Sequence, residues 1–224
     1  MPAQYLQYGC GTCAPPDWIN FDSSLRLRME RAPVVGRLFS FRFGRLFPSN
    51  VHYGDIVNGL PIPAESCAGI YCSHVLEHIP RDQVSTAFLN TLRLLQPGGI
   101  FRLVVPDLRW RVDLYLEQVT SGRTNACDEF LESCMFRPRS PITKFASRIR
   151  DSYGNSGHLW MYDFETLAQI AKSAGFTKVR RCRFGDADDV MFSRVEDSAR
   201  FAEGPYQELA IEATKPLQSG SGGR

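Results

Sequence analysis

No run of about 18 apolar residues occurs in the chain, the length that a helix needs to cross a bilayer, so no transmembrane helix is expected. The N-terminus enters a strand-like stretch without a charged region and apolar core ahead of it, and no secretory signal is expected. Lysine is scarce, with only 4 against 22 arginines. The 7 cysteines are odd in number and scattered. That excludes a disulfide framework and suits free thiols in a reducing, cytoplasmic setting. There is no internal repeat and no RNA- or DNA-binding motif. With a formal net charge of only +2, nucleic acid is not an expected partner.

What remains is an ordinary globular composition, 43% hydrophobic and 12% aromatic over 224 residues. That is enough chain for one domain with a full core and a sizeable insertion. The small net charge hides a segregation. Residues 25–50 hold six arginines (Arg26, Arg28, Arg31, Arg37, Arg42 and Arg45) against Glu30, a local charge of +5. Residues 137–150 hold Arg137, Arg139, Lys144, Arg148 and Arg150 with no acid, again +5. Arginine grips phosphate and carboxylate in bidentate fashion, so both clusters point to an anionic ligand. The stretch 39–47, with four Phe among its arginines, is open to three readings. It is a solvated insertion whose Phe side chains pack on the core, a grip on an anionic substrate, or, least favoured, a contact with a membrane surface.

Seven segments read as strands: about 4–8, 18–22, 51–54, 68–73, 100–105, 178–184 and 208–214. Several are continuous apolar runs, as in a parallel sheet covered on both faces. Between the fourth and fifth, Val84, Phe88, Leu92 and Leu95 share one face of a helix near 79–95, stopped at Pro97-Gly98-Gly99. A second helix runs from Asp163 as N-cap to Gly175. This alternation predicts an α/β fold, a doubly wound and mostly parallel seven-stranded sheet. The last two strands should pair antiparallel at one edge. Residues 1–217 then form one domain, with a basic insertion at 25–50 and another at 107–157 over the active site. The Gly/Ser-rich stretch 218–224 reads as a disordered tail.

The first strand runs into Tyr5-Leu-Gln-Tyr-Gly-Cys-Gly-Thr-Cys13, and the second ends at Asp22. A glycine turn after one strand and a carboxylate at the tip of the next form half of a nucleotide-binding unit. The middle of the chain is more specific. Gly54-Asp55-Ile-Val-Asn-Gly-Leu-Pro-Ile-Pro63 is followed by Gly69-Ile-Tyr-Cys-Ser-His-Val-Leu-Glu-His-Ile79 and by Leu92-Arg-Leu-Leu-Gln-Pro-Gly-Gly-Ile-Phe-Arg-Leu-Val-Val-Pro-Asp107. In order and spacing these blocks resemble the UbiE-like (Methyltransferase type 11) branch of class I S-adenosylmethionine-dependent methyltransferases, a Rossmann-like fold. His158-Leu-Trp-Met-Tyr-Asp-Phe164 resembles the start of that branch's penultimate helix, and Glu208–Lys215 its closing strand. The resemblance implies S-adenosyl-L-methionine as cofactor. Gly9, Cys10 and Gly11 would cradle its methionine part, Asp22 its ribose, and Asp55 with Ile56 its adenine. Ser73 and His74 would wall the sulfonium.

The chain departs from the family at Gln7, where an acid is usual, and at Cys13, where a third glycine is usual. Only about ten residues separate Gly11 from Asp22, too few for a full helix. A non-catalytic methyltransferase-like partner protein is therefore an alternative. His74-x-x-Glu77-His78 also matches an inverted zinc-peptidase pattern, in which both histidines share a helix face. Embedded in a methyltransferase-like block, it reads instead as part of the cofactor wall, and no metal is expected. Cys10-Gly-Thr-Cys13 is likewise weighed as a redox pair and set aside. The expected activity is methyl transfer, in particular to oxygen, on a small-molecule, glycan or lipid-linked acceptor with room for an anionic group. His74, His78, Asp107 and His158 are the candidate general bases. Tyr162 joins His158 as a candidate for the acceptor pocket.

Overall fold

A computed structural model describes residues 3–33, 35–136, 157–201 and 207–217. The chain runs β1 (Gln4–Tyr8), β2 (Ile19–Asp22), α1 (Leu25–Glu30), α2 (Val35–Phe43), β3 (Val51–Tyr53) and β4 (Cys67–Ser73). It continues through α3 (Val84–Leu94), β5 (Leu95–Pro106), α4 (Leu108–Thr120), α5 (Ala126–Ser133), α6 (Phe164–Ser173), β6 (Thr177–Cys182), α7 (Ser198–Phe201) and β7 (Glu208–Thr214). Among the described residues the strands form one seven-stranded sheet, ordered β3-β2-β1-β4-β5-β7-β6. All pairings are parallel except those of β7, which runs antiparallel to both β5 and β6. This is the doubly wound, mostly parallel architecture expected. Its strand order reverses direction between β1 and β4, where open α/β sheets bind ligands.

Alternation along β5 divides the core. Phe101, Leu103 and Val105 join α3 (Val84, Ala87, Phe88, Leu94) and α6 (Leu167, Ile170, Ala171) on one face. Val104 joins Tyr71, Trp18, Phe192 and Val195 on the other. Local signals fix the helix ends. The Asp163 carboxylate accepts the Thr166 N–H at 2.8 Å and caps α6, as its position predicts. Helix α3 is shorter than the expected 79–95. Pro80 is extended (φ −52°, ψ 136°) and residues 81–83 form a 3-10 turn, so the α-helix begins only at Val84. It ends at Leu94, ahead of Pro97, whose ring disfavours helical backbone in the residue before it.

Residues 11–18 contain no helix, as their number requires. A parallel sheet needs cover on both faces, and here the cover comes from the connection between β6 and β7. Phe192 in that connection packs edge-on against Trp18, with ring centroids 5.8 Å apart. The Tyr5 hydroxyl donates to Asp189 at 2.6 Å, and Arg194 pairs with Asp17 at 3.2 Å. Beneath them Arg102 of β5, fully buried, donates to Glu196, to Glu212 at 2.8 Å, to Asp186 at 3.1 Å and to the Arg183 carbonyl at 2.8 Å.

In the first basic segment, Glu30 is buried and accepts Arg26 and the N–H groups of Leu46 and Phe47. Phe47 is buried with Leu27 and Val51, but Phe41 is 90% exposed and Phe43 is also exposed. The expectation that these Phe side chains pack on the core thus holds for Phe47 and fails for Phe41 and Phe43. Above the tip of β5, α4 packs on α5 through buried Arg111, which donates to the Ser133 carbonyl at 3.0 Å. The rest of the second insertion, with the basic cluster at 137–150, and the stretch 218–224 lie outside the described residues. No described helix is long and apolar enough to cross a membrane.

Candidate functional site

A cavity of about 210 Å³ opens at the carboxyl ends of β1, β2 and β4. Its walls include Gly9, Ser23, Asp55, Ile56, Val75 and His78. Gly9 turns the chain out of β1 with φ +71°, and a Cβ there would lie 2.0 Å from Val75 Cγ2. Only glycine takes that conformation cheaply, and only glycine leaves room for Val75. The next turn is locked from β2. Asp22, 8% exposed, accepts the Gly11 N–H at 3.0 Å through one oxygen and the Ser24 N–H at 2.8 Å through the other. Each carboxylate oxygen retains a second lone pair. Gln7, standing where an acid is usual, donates to the Cys13 carbonyl and to Asn20 Oδ1, both at 2.7 Å.

Asp55 shapes the far wall. Its carboxylate accepts the Val57 N–H at 2.9 Å and the Asn58 side-chain amide at 2.8 Å, a turn that presents Ile56 and Val57 to the cavity. Gly54 is glycine for packing: a Cβ would meet Phe21 Cδ1 at 2.6 Å and Leu60 Cδ2 at 2.7 Å. Cys10 does not line the cavity; it is buried against Leu27, Phe47 and Val51. Neither it nor Cys13 forms a disulfide. Gly11, Asp22, Ser73 and His74 were expected at the site and stand outside the cavity wall, whereas Tyr8, Ser23, Gly54, Val57, Val75, Ile79, Pro80 and Gln83 line it without having been expected there. Their adjacency in the chain to Gly9, to Asp22, to Asp55 and Ile56, and to the Ser73–Ile79 block was the available signal.

Beyond the tip of β4 lies a cluster of buried polar groups. His74 has a left-handed backbone (φ 54°), and its N–H donates to the Val104 carbonyl. Such strain in a non-glycine residue concentrates at functional sites. The turn aims the imidazole at Glu77, with His74 Nδ1 3.3 Å from Glu77 Oε1. Glu77 is fully buried, and neither of its oxygens has a hydrogen-bond partner among the described residues. The same holds for the buried hydroxyls of Ser73 and Tyr162. Burial pushes the Tyr162 phenol up to about 12; Arg81 opposes the shift and Glu77 adds to it. Residues 74–78 do not form an α-helix, because Leu76–His78 is a single 3-10 turn. His74 and His78 therefore lack the shared helix face that a zinc-peptidase site needs.

The segment after the second insertion closes this cluster. The Glu77 carbonyl accepts the N–H of Leu159 at 2.7 Å and of Trp160 at 3.2 Å. His158 is buried, its ring 5.3 Å from that of His78. On the outer side of the same segment Leu159, Trp160 and Met161 join Leu108 and Phe136 around an apolar depression of about 410 Å³. Asp107 stands apart from the other candidate bases. Its carboxylate caps α4 by accepting the N–H of Arg109 and of Trp110, and it lies 3.5 Å from Arg181.

Residues 2–181 match the sequence model of a family described as a methyltransferase domain. The chain belongs to that family. Among solved structures it is similar to an S-adenosylmethionine-dependent methyltransferase of Methanosarcina mazei, at 14% identity and TM-score 0.51, covering 96% of this chain and 93% of the other. It is also similar to one of Thermotoga maritima described as a possible histamine N-methyltransferase, at 16% identity and TM-score 0.50, covering 96% and 83%. A phosphoethanolamine N-methyltransferase of Haemonchus contortus, solved with S-adenosyl-L-methionine, matches at 13% identity and TM-score 0.46, covering 96% of this chain and 49% of the other. The chain thus spans about half the length of several of the structures it matches. No curated protein matches it. The family is that of class I methyltransferases, and S-adenosylmethionine is the cosubstrate of this class.

Proposed function

We propose that this methyltransferase domain transfers a methyl group from S-adenosylmethionine to a hydroxyl oxygen of a small or glycan-like acceptor. The observation that carries this reading is the His74–Glu77 pair, which brackets Val75 of the cavity wall in the chain. A hydroxyl is a poor nucleophile until it loses its proton, so oxygen transfer calls for a base at the reacting atom. With a carboxylate beside one ring nitrogen, the imidazolium formed when His74 takes a proton at the other is stabilised. Of the four candidate bases, His74 combines such a partner with a place directly before Val75 of the wall, whereas Asp107 is occupied as a cap.

The residues of the cavity fit the cofactor. Gly9 leaves the floor free of a Cβ; Asp22 directly precedes Ser23 of the wall, and its carboxylate, already fixed by two backbone N–H groups, has lone pairs left for a ribose diol. Ile56 and Val57 offer an apolar wall to adenine. The bound cofactor supplies a methyl carbon on a positive sulfonium, which becomes a neutral thioether on transfer. The chain's share is to align the acceptor oxygen with that carbon, to take its proton at His74, and to keep water away with Val75, Ile79 and Pro80. The exposed Arg37, Arg42 and Arg45 favour an acceptor with phosphate or carboxylate groups, because α1 and α2 follow directly from the tip of β2.

Methyl transfer from labelled cofactor to a panel of hydroxylated compounds, each in charged and neutral form, tests this reading. His74→Asn should lower kcat by about 10²–10⁴-fold, the usual worth of a general base, while cofactor affinity stays within about twofold. An unchanged kcat, or turnover of amines alone, contradicts the oxygen assignment.

A further inference from the structure

We infer that Glu77, His78 and His158 form a binding site for one divalent transition-metal ion, whose open coordination position takes the acceptor's hydroxyl oxygen. The role of the acceptor rests on the methyl-transfer reading above; the metal site does not. One donor atom from each of the three side chains lies within 4.8 Å of the others. An ion with bonds of about 2.0–2.2 Å to nitrogen and oxygen holds its ligands roughly 3–3.5 Å apart, so small side-chain rotations close the site.

The surroundings are those of a ligand set. Glu77 is fully buried; His74 Nδ1 lies 3.3 Å from Oε1, and neither carboxylate oxygen accepts a hydrogen bond among the described residues, so Oε2 is left for an ion. A buried carboxylate is stable when paired or bound to a metal. His158 Nδ1 lies 2.8 Å from the Cys134 carbonyl oxygen, and His78 Nδ1 lies 3.2 Å from that of Gly157. A carbonyl only accepts, so each Nδ1 carries a proton, which in a neutral imidazole leaves the lone pair on Nε2. Metal-ligating histidines are oriented in this way by an outer shell of carbonyls. The two N–H bonds from Leu159 and Trp160 to the Glu77 carbonyl hold the two segments in register.

Two imidazoles and one carboxylate suit Zn²⁺, Fe²⁺ or Co²⁺ better than Mg²⁺ or Ca²⁺, which prefer all-oxygen shells. Three protein ligands leave a position open, as in catalytic sites. His78 is also part of the cavity wall, which sets the ion at the edge of the space that fits the cofactor. Coordination lowers the pKa of a hydroxyl. Its proton passes to His74, the O–C bond forms as the C–S bond breaks, and the sulfonium leaves as a thioether. From the sequence a metal came into view only through the zinc-peptidase pattern of His74, Glu77 and His78, which was set aside; the third ligand inferred here, His158, stands far along the chain from Glu77-His78.

The whole protein, stripped with a chelator, is titrated with Co²⁺ and followed by its visible absorption and melting temperature; S-adenosylhomocysteine binding is measured separately by calorimetry. One Co²⁺ per chain should bind, with bands of nitrogen and oxygen coordination, and should raise the melting temperature. Glu77→Gln and His158→Gln should each weaken Co²⁺ at least tenfold, and His78→Gln, at a less buried position, should do the same if those two fail to fold. The site is refuted if folded protein takes up no Co²⁺. It is equally refuted if affinity is unchanged in the variants, or if a near-ultraviolet thiolate band shows that cysteines hold the ion. Loss of S-adenosylhomocysteine binding with Co²⁺ binding intact would overturn the methyl-transfer reading and leave the metal site standing.

Discussion

Asp22 does two jobs with one carboxylate. It closes the glycine turn by accepting the Gly11 and Ser24 N–H groups, and the lone pairs it keeps point to the ribose in the proposed reading. Asp22→Asn sets an amide donor against one of those N–H groups. Cofactor affinity should fall at least about tenfold, roughly 1.4 kcal/mol, and calorimetry on the folded variant checks it. An unchanged affinity would remove Asp22 from the site. Residues of this kind were legible in the sequence because their spacing is local: a glycine turn, then an acid at the next strand tip. Gln7 was legible only as a departure. That its amide bonds Asn20 and the Cys13 carbonyl depends on strand register, which the sequence does not state.

The connection between β6 and β7 shows what periodicity misses. The alternation of strands and helices was readable from apolar runs and caps, and the element positions followed. Residues 183–201 have no helical stripe, and the sequence alone gave them no function. They cover the sheet face left bare by the short β1–β2 link through contacts such as Trp18–Phe192 and Arg102–Glu196, which join residues distant in the chain. One charge inside the apolar run Ile100–Val105 was the available hint, since a buried arginine requires buried acids. Arg102→Met leaves Glu196 without its arginine in the core, while Glu212 keeps only Arg180. It should destabilise the protein by about 3–5 kcal/mol, read from the urea midpoint. A loss below about 1 kcal/mol would mean that the acids reach solvent and that the cover is loosely held.

For the molecule as a whole, the strand-order reversal places the glycine turn, the Asp55 wall and the Val75–Ile79 segment, with His78, around one cavity. Family and fold could be read from the motif blocks because these sit at strand tips, where the sheet brings them together. The cluster with His158 could not, since it forms only when the segment after the insertion bonds the Glu77 carbonyl. Calorimetric titration of the purified protein with S-adenosylmethionine is the most direct test. One equivalent should bind per chain. Gly9→Ala, whose Cβ would lie 2.0 Å from Val75 Cγ2, should abolish binding in protein that still unfolds cooperatively. Folded wild-type protein that takes up no S-adenosylmethionine, or a Gly9→Ala variant that binds it equally well, would contradict this placement of the cofactor.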